Sequence, residues 1–313
     1  MKILLDCDTG IDDAITLLFL ASLIKTDEVE LAGIGTVHGN VAPRTGALNT
    51  LRVLELTGID NIPVAVGAAR PMAQDVHYAW DYHGADGLGE TRLPEPKGGP
   101  IDASAPEQIV RLARAHPGEL TLLAIGPLTN LGVALLLEPR LPELIREVVI
   151  MGGAFDHPGN ITTHAEANIW HDPEAADLVF AADWPIVLVP LDATHPTAVD
   201  AAWLHRMTAT DTAVTRFAGG ILDFYVTAYT PILGRRGCVI HDALAAMVCV
   251  DPGLGDYAVR PVHVELRGEH TRGATLWDAR AVPGTIGRRD VKVLGRSDVA
   301  TFKDRLLGAI LSH

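Results

Sequence analysis

The sequence predicts a single α/β domain with a mostly parallel central sheet and helices on both faces. Three observations carry that expectation. Short apolar runs alternate with helical stretches along nearly the whole chain of 313 residues. The strand candidates are apolar without alternation, as strands covered on both faces are. No repeat, low-complexity tract or linker interrupts residues 1–313, so the chain reads as one domain. Residues 2–5 form the first strand and run into a Gly/Asp loop, with a helix over 14–24 behind it. A strand at 31–37 precedes a helix at 44–56 that Gly58 stops, and 63–66 is a short strand. Residues 70–100, rich in Gly, Asp and aromatics, show no regular element, and loops of that length tend to be functional. Strands follow at 119–125, 147–151 and 185–189. The helix at 173–182 has Asp172 as N-cap and Pro173 at its first position. Helices are expected at 201–207, 213–229 and 241–248, late strands at 262–266 and 291–294, and a closing helix at 302–311.

Composition narrows the function. Lys and Arg number 25 against 39 Asp and Glu, a formal net charge of -14, which argues against a nucleic-acid backbone or an anionic membrane as partner. At 48% hydrophobic and 20% charged residues the chain is too apolar for a disordered one. No run approaches the ~20 apolar residues of a membrane span, and the apolar start is too short for a signal peptide. Three cysteines, Cys7, Cys238 and Cys249, are odd in number and sparse, which suits a reducing compartment. The expectation is a cytoplasmic protein.

The segment Asp6-Cys7-Asp8-Thr9-Gly10-Ile11-Asp12-Asp13 puts four carboxylates where a strand gives way to a helix. In open α/β sheets ligands bind outside the carboxyl ends of strands. Alternation places Asp6 and Asp8 on one side with Cys7 turned away, and Gly10 is expected to supply the sharp turn that brings Asp12 and Asp13 back towards Asp8. Helix capping accounts for one or two acids. Four repel one another unless a cation intervenes, and hard oxygens without imidazole or thiolate suit Ca²⁺ or Mg²⁺. Two enzyme classes begin this way: a haloacid-dehalogenase-like phosphatase, whose pattern lacks the second acidic pair, and a metal-assisted hydrolase acting on a sugar.

Further polar clusters close later strands: 36–40, 124–130, 151–168 and 240–242. Amides and carboxylates at successive strand ends suit a ligand covered in hydroxyls, because Asn both donates and accepts. Asn40, Asn160, Glu166 and Asn168 are too many to be turn residues only. With these motifs in order, the sequence resembles the inosine–uridine-preferring nucleoside hydrolase family nearly end to end. The resemblance rests on Asp-x-Asp-x-Gly-x-Asp-Asp at 6–13, Thr-Val-x-Gly-Asn at 36–40, Gly-Pro-Leu-Thr-Asn at 126–130, Met-Gly-Gly at 151–153, Asn160, Glu-x-Asn at 166–168 and His-Asp at 241–242. Thr9 replaces the family's proline and is expected to loosen the acidic turn.

The resemblance implies the nucleoside hydrolase fold with a Rossmann-like core, and hydrolysis of ribonucleosides to ribose and free base. It implies Ca²⁺ held by Asp8, Asp13, Asp242 and the backbone carbonyl of Ile125, with Asp8 also the general base. Asp12 and Asn168 would hold ribose hydroxyls with Asn40 in support, and Asn160 and Glu166 would receive the 5′ hydroxyl. His241 would stand near the departing base, with His83 a second candidate. Oxocarbenium-like cleavage needs these parts: an oriented water, a carboxylate-rich wall and a proton for the base. Base stacking is expected from Trp80, Tyr225 or Tyr229, the last two one helical turn apart. Pyrimidine or mixed preference, nucleoside salvage and a homodimer or homotetramer complete the expectation. His195 and His38 read as hydrogen-bonded core histidines. A non-catalytic nucleoside- or ribose-binding protein is the alternative from another class.

Overall fold

Continuous apolar runs make strands that can only be buried between two helical layers, and this is what the computed structural model, which describes residues 1–278, 280 and 288–313, contains. The strands are β1 (Lys2–Cys7), β2 (Glu30–Thr36), β3 (Val64–Val66), β4 (Leu120–Ala124), β5 (Glu147–Met151), β6 (Ile186–Val189), β7 (Gly255–Pro261) and β8 (Asp290–Ser297). They join in one sheet in the order β3-β2-β1-β4-β5-β6-β8-β7. All neighbours pair in parallel except β7 on β8.

Alternation along β1 splits the core in two. Ile3, Leu5 and Cys7 join one apolar layer and Leu4 the other. The first layer includes the helix Ile11–Lys25, buried from Ile11 to Leu23 apart from Ser22. It is apolar all round because helices pack on several of its sides: Pro43–Leu56, Ala213–Leu233, His241–Val250 and Val299–Leu311. Each fully buried Leu, Ile or Phe contributes about 1.5–3 kcal/mol, so the helix that starts at the acidic loop is anchored along its length. The second layer holds Ala105–Ala115, Thr129–Leu137 and Pro173–Ala181.

The strand order reverses between β1 and β4, so a crevice opens at their carboxyl ends. Asp6 and Asp8 lie at the end of one and Ile125 at the end of the other.

Three expectations are corrected. The strand predicted at 262–266 is only His263–Val264, paired with Thr275–Leu276 in a separate ribbon. The edge of the main sheet is instead β7, whose exposed residues include Asp256 and Arg260 and give no apolar run to read. The helix predicted at 213–229 continues across Pro231 to Leu233 and stops at Gly234 in the left-handed conformation, φ +64°. The helix Ala105–Ala115 was not predicted, although Ser104 and Glu107 form a capping box at its start. Within 70–100 the regular piece is one turn, Trp80–His83. Among the described residues no helix is long and apolar enough to cross a membrane.

Candidate active site

The acidic loop is held by its own backbone. Asp13 accepts from the N–H of Gly10 at 2.8 Å and of Asp8 at 3.2 Å, and from Asn40 Nδ2 at 3.0 Å. Asp8 accepts the N–H of Asn40 through Oδ2 at 2.7 Å, while its buried Oδ1 has no partner. Gly10 is extended, φ -91° and ψ -157°, so the sharp glycine-only turn expected there does not exist. Glycine is needed for space, since a Cβ at position 10 would lie 2.4 Å from His83 Nδ1 and 2.6 Å from Asn40 Nδ2. Thr9, expected to loosen the loop, is tied to the helix Pro43–Leu56. Thr50 donates to the Gly46 carbonyl at 2.9 Å and therefore accepts from Thr9 Oγ1 at 2.7 Å, and Asn49 Nδ2 reaches the Thr9 carbonyl at 3.4 Å. A hydroxyl chain restrains this loop where a proline ring is missing.

Gly39 makes the junction between the two motifs. A Cβ there would lie 2.1 Å from Asp8 Oδ2, at φ +153°. Gly39→Ala is expected to cost about 1–3 kcal/mol of stability, read as a lower urea midpoint with unchanged slope.

Carboxylate oxygens of Asp12, Asp13 and Asp242 lie within 4.8 Å of one another, all three buried. Burial first, then the neighbouring carboxylates, raises Asp242 well above the usual carboxylate range and Asp12 to about 8. Burial raises Asp13 to about 6. Asp8 is likewise raised well above that range by burial, then by Asp13. Such a group is stabilised by a cation, and its all-oxygen donor set suits a hard one. The partnerless Oδ1 of Asp8 fits the same reading, and Ile125 lies on the cavity wall. The trio brings in Asp12, where sequence reasoning expected Asp8 beside Asp13 and Asp242.

The group opens into a cavity of about 350 Å³. Of the predicted residues, Asp12, Asn40, His83, Ile125, Asn160, Glu166, Asn168, Tyr225, Tyr229, His241 and Asp242 line it. Glu166 caps the short helix Ala167–His171, accepting from the N–H groups of Asn168, Ile169 and Gly153 at 2.9, 3.1 and 3.0 Å. Burial raises it to about 7 against those bonds. Asn168 donates to the carbonyls of Ile125 and Met151 at 3.0 and 3.1 Å, and Asn160 accepts the Ala167 N–H at 2.8 Å.

Trp80 is a correction: it is 52% exposed, stacked on Tyr78 at 5.4 Å, and does not line the cavity. Tyr82 does, edge-on to Tyr229 at 5.8 Å. His195, read as a core histidine, also lines the cavity and stacks on His157 at 3.9 Å. Its place after β6, at a strand's carboxyl end, was the signal that could have found it. His38 is buried, 3.0 Å from Thr129 Oγ1, as predicted.

His241 bridges Thr194 Oγ1 and Tyr229 OH, both at 2.7 Å. Burial, then His195, His157 and His83, holds it well below the usual histidine range. It is therefore a neutral imidazole inside a hydroxyl–imidazole–hydroxyl line, not a group titrating near neutrality. His83 accepts the Ile11 N–H on Nδ1 at 3.0 Å, which leaves its proton on Nε2, and burial lowers it to about 3. It caps the central helix from the cavity wall.

Comparison with known proteins gives concordant results. Residues 3–304 match the family model described as inosine-uridine preferring nucleoside hydrolase. The chain is 36% identical over 281 residues to the inosine-uridine preferring nucleoside hydrolase of Crithidia fasciculata, covering 89% of this chain and 88% of that protein. It is 36% identical over 294 residues to the pyrimidine-specific ribonucleoside hydrolase RihA of Citrobacter koseri, covering 94% and 93%. Among solved structures it superposes on a plant nucleoside hydrolase, PpNRh1, with a TM-score of 0.94 and 31% identity, covering 100% of this chain and 99% of that one.

Proposed function

The chain belongs to the inosine-uridine preferring nucleoside hydrolase family and is a ribonucleoside hydrolase acting on N-glycosyl bonds, and from that premise we propose how its residues divide the reaction. Neither the phosphatase nor the non-catalytic binding protein finds support among the relatives. The observation that carries the reading is the buried trio Asp12, Asp13 and Asp242, of which Asp12 and Asp242 line a cavity walled also by amides and a carboxylate.

The metal we assign is Ca²⁺, with Asp8, Asp13, Asp242 and the Ile125 carbonyl as its ligands. The chemistry it supplies when bound is Lewis acidity toward a water and a diol, with the positive charge that keeps the surrounding carboxylates ionised. Asp8 Oδ1 is the acceptor for the proton of the attacking water, while its Oδ2 is fixed by Asn40. Asp12 and Asn168 take ribose hydroxyls, and Asn160 and Glu166 take the 5′ hydroxyl. As the bond breaks, the sugar becomes cationic, and the acidic wall favours that charge. The departing base needs a proton: Tyr229 OH, which is hydrogen-bonded to His241 Nε2, can hand one over, and the negative charge left on the line Tyr229–His241–Thr194 is cancelled by the proton that Asp8 takes from the water. His83 Nε2–H is a second donor from the same wall.

Tyr82, Tyr225 and Tyr229 with Ile232 form the apolar end for the base, and we assign pyrimidine or mixed preference. The three cysteines, free and buried, and the acidic charge balance support cytoplasmic nucleoside salvage; a homodimer or homotetramer is the assembly we propose.

His241→Ala tests the leaving-group role. Turnover of uridine is expected to fall by about 10²-fold or more, whereas p-nitrophenyl riboside, whose leaving group needs no proton, should lose less than about threefold. Equal losses on the two substrates would remove His241 from that role.

A further inference from the structure

The segment 153–168 leaves β5 at Gly153 and returns to the cavity bearing Asn160 and Glu166. Its outer part is lightly packed: Asp156, Pro158, Asn160, Thr163 and His164 are exposed. Ala154 is held by Thr275, and the next three residues are pinned from one point. The carboxylate of Asp192 accepts three successive backbone N–H groups, Phe155 on Oδ2 at 2.9 Å, and Asp156 and His157 on Oδ1 at 2.7 and 2.9 Å. Asp192 lies on the single turn Leu191–Thr194 that follows β6, and Leu191 N–H bonds the Gly153 carbonyl at 2.9 Å. The turn and the segment are thus joined both at the Gly153 hinge and at residues 155–157. Phe155 stacks on Trp277 at 4.0 Å, and His157 on His195, on either side of this junction. Asp192 itself does not line the cavity.

Three amides converging on one carboxylate form a charge-assisted clamp. We propose that Asp192 is a positioning residue for the 5′ end of the ribose. It fixes the direction in which the chain leaves residue 157, and so where Asn160 stands three residues later. An amide in its place cannot serve all three donors, because its NH₂ must face at least one backbone N–H. The inference rests on the reading that Asn160 and Glu166 receive the 5′ hydroxyl.

The test compares uridine with 5′-deoxyuridine on the full-length wild type, Asp192→Asn, Asn160→Ala and the double variant. The ratio of kcat/KM for the two nucleosides does not depend on how much of a preparation is folded, so partial misfolding cannot mimic the effect. Asp192→Ser, which keeps one acceptor, replaces Asp192→Asn if the latter does not fold. The wild type should prefer uridine, and Asp192→Asn should shrink that preference about tenfold, chiefly through KM for uridine, with 5′-deoxyuridine altered less than about twofold. The double variant should show no smaller preference than Asn160→Ala alone, since both act through one contact. Equal losses on both nucleosides, an unchanged preference or additive effects would overturn the role of Asp192. If wild type and Asn160→Ala alike fail to distinguish the nucleosides, the 5′-hydroxyl reading itself is wrong and the inference falls with it.

Discussion

Asp8→Asn is expected to lower kcat/KM for uridine by about 10³-fold while making the metal-free protein more stable. The two effects have one cause. Asn40 N–H must still find an acceptor, so the new side chain turns its carbonyl oxygen to that amide and its NH₂ to the place of Oδ1. A proton acceptor becomes a donor, and the attacking water loses the base proposed for it. At the same time a buried carboxylate raised by burial and by Asp13 is replaced with a neutral group. A carboxylate whose folded pKa lies above its unfolded value binds more protons when folded. Its charge therefore destabilises the fold increasingly as pH rises above the unfolded pKa, and reaches its full penalty above the folded one. In the presence of chelator at neutral pH, Asp8→Asn should thus melt above the wild type, a sign opposite to that of ordinary damage. Calorimetry and initial rates on the same preparations check both halves. A variant that keeps a tenth of wild-type turnover would exclude Asp8 as the base.

Much of this site was legible because it follows the strands. Runs such as those at β1, β4 and β5 are apolar on both faces, so their ends could be placed from sequence, and with them Asp8, Ile125 and the Met151–Gly153 turn. The motifs that cross-link these ends were legible as residues but not as partners. Asn130 is an example: it donates to Asp6 and to the Thr36 carbonyl, accepts the Ala68 N–H at 2.8 Å, and does not line the cavity. What could not be read depends on how distant segments meet. Tyr82 and Trp80 are two residues apart on one helical turn, and only the packing of that turn decides that the first faces the cavity and the second solvent. His157 and His195 join the wall by stacking across 38 positions of sequence. At Gly10 the residue type was meaningful but its cause was tertiary, the closeness of His83 and Asn40. The edge strand β7 escaped because an edge need not be apolar.

The role of the ribose diol leads to the other large effect. 2′-Deoxyuridine should be cleaved at least about 10³-fold less efficiently than uridine in kcat/KM, since a site built to pair a hydroxyl leaves its own polar groups unpaired when that hydroxyl is missing. Two such groups can be named. Asn168 uses Nδ2 on the carbonyls of Ile125 and Met151, so Oδ1 is what it can offer a hydroxyl proton. Asp12 is buried in the carboxylate trio and takes the Tyr225 hydroxyl; without a second donor from the sugar its charge is poorly compensated. The loss should appear in kcat as well as KM, because in the proposed division of the reaction the same hydroxyl fixes C1′ relative to the water assigned to Asp8. Asn168→Ala should erase part of the discrimination by slowing uridine while leaving 2′-deoxyuridine nearly as slow as before. Parallel progress curves for the two nucleosides with the wild-type enzyme decide the matter, and equal rates would mean that the diol is not what the acidic loop holds.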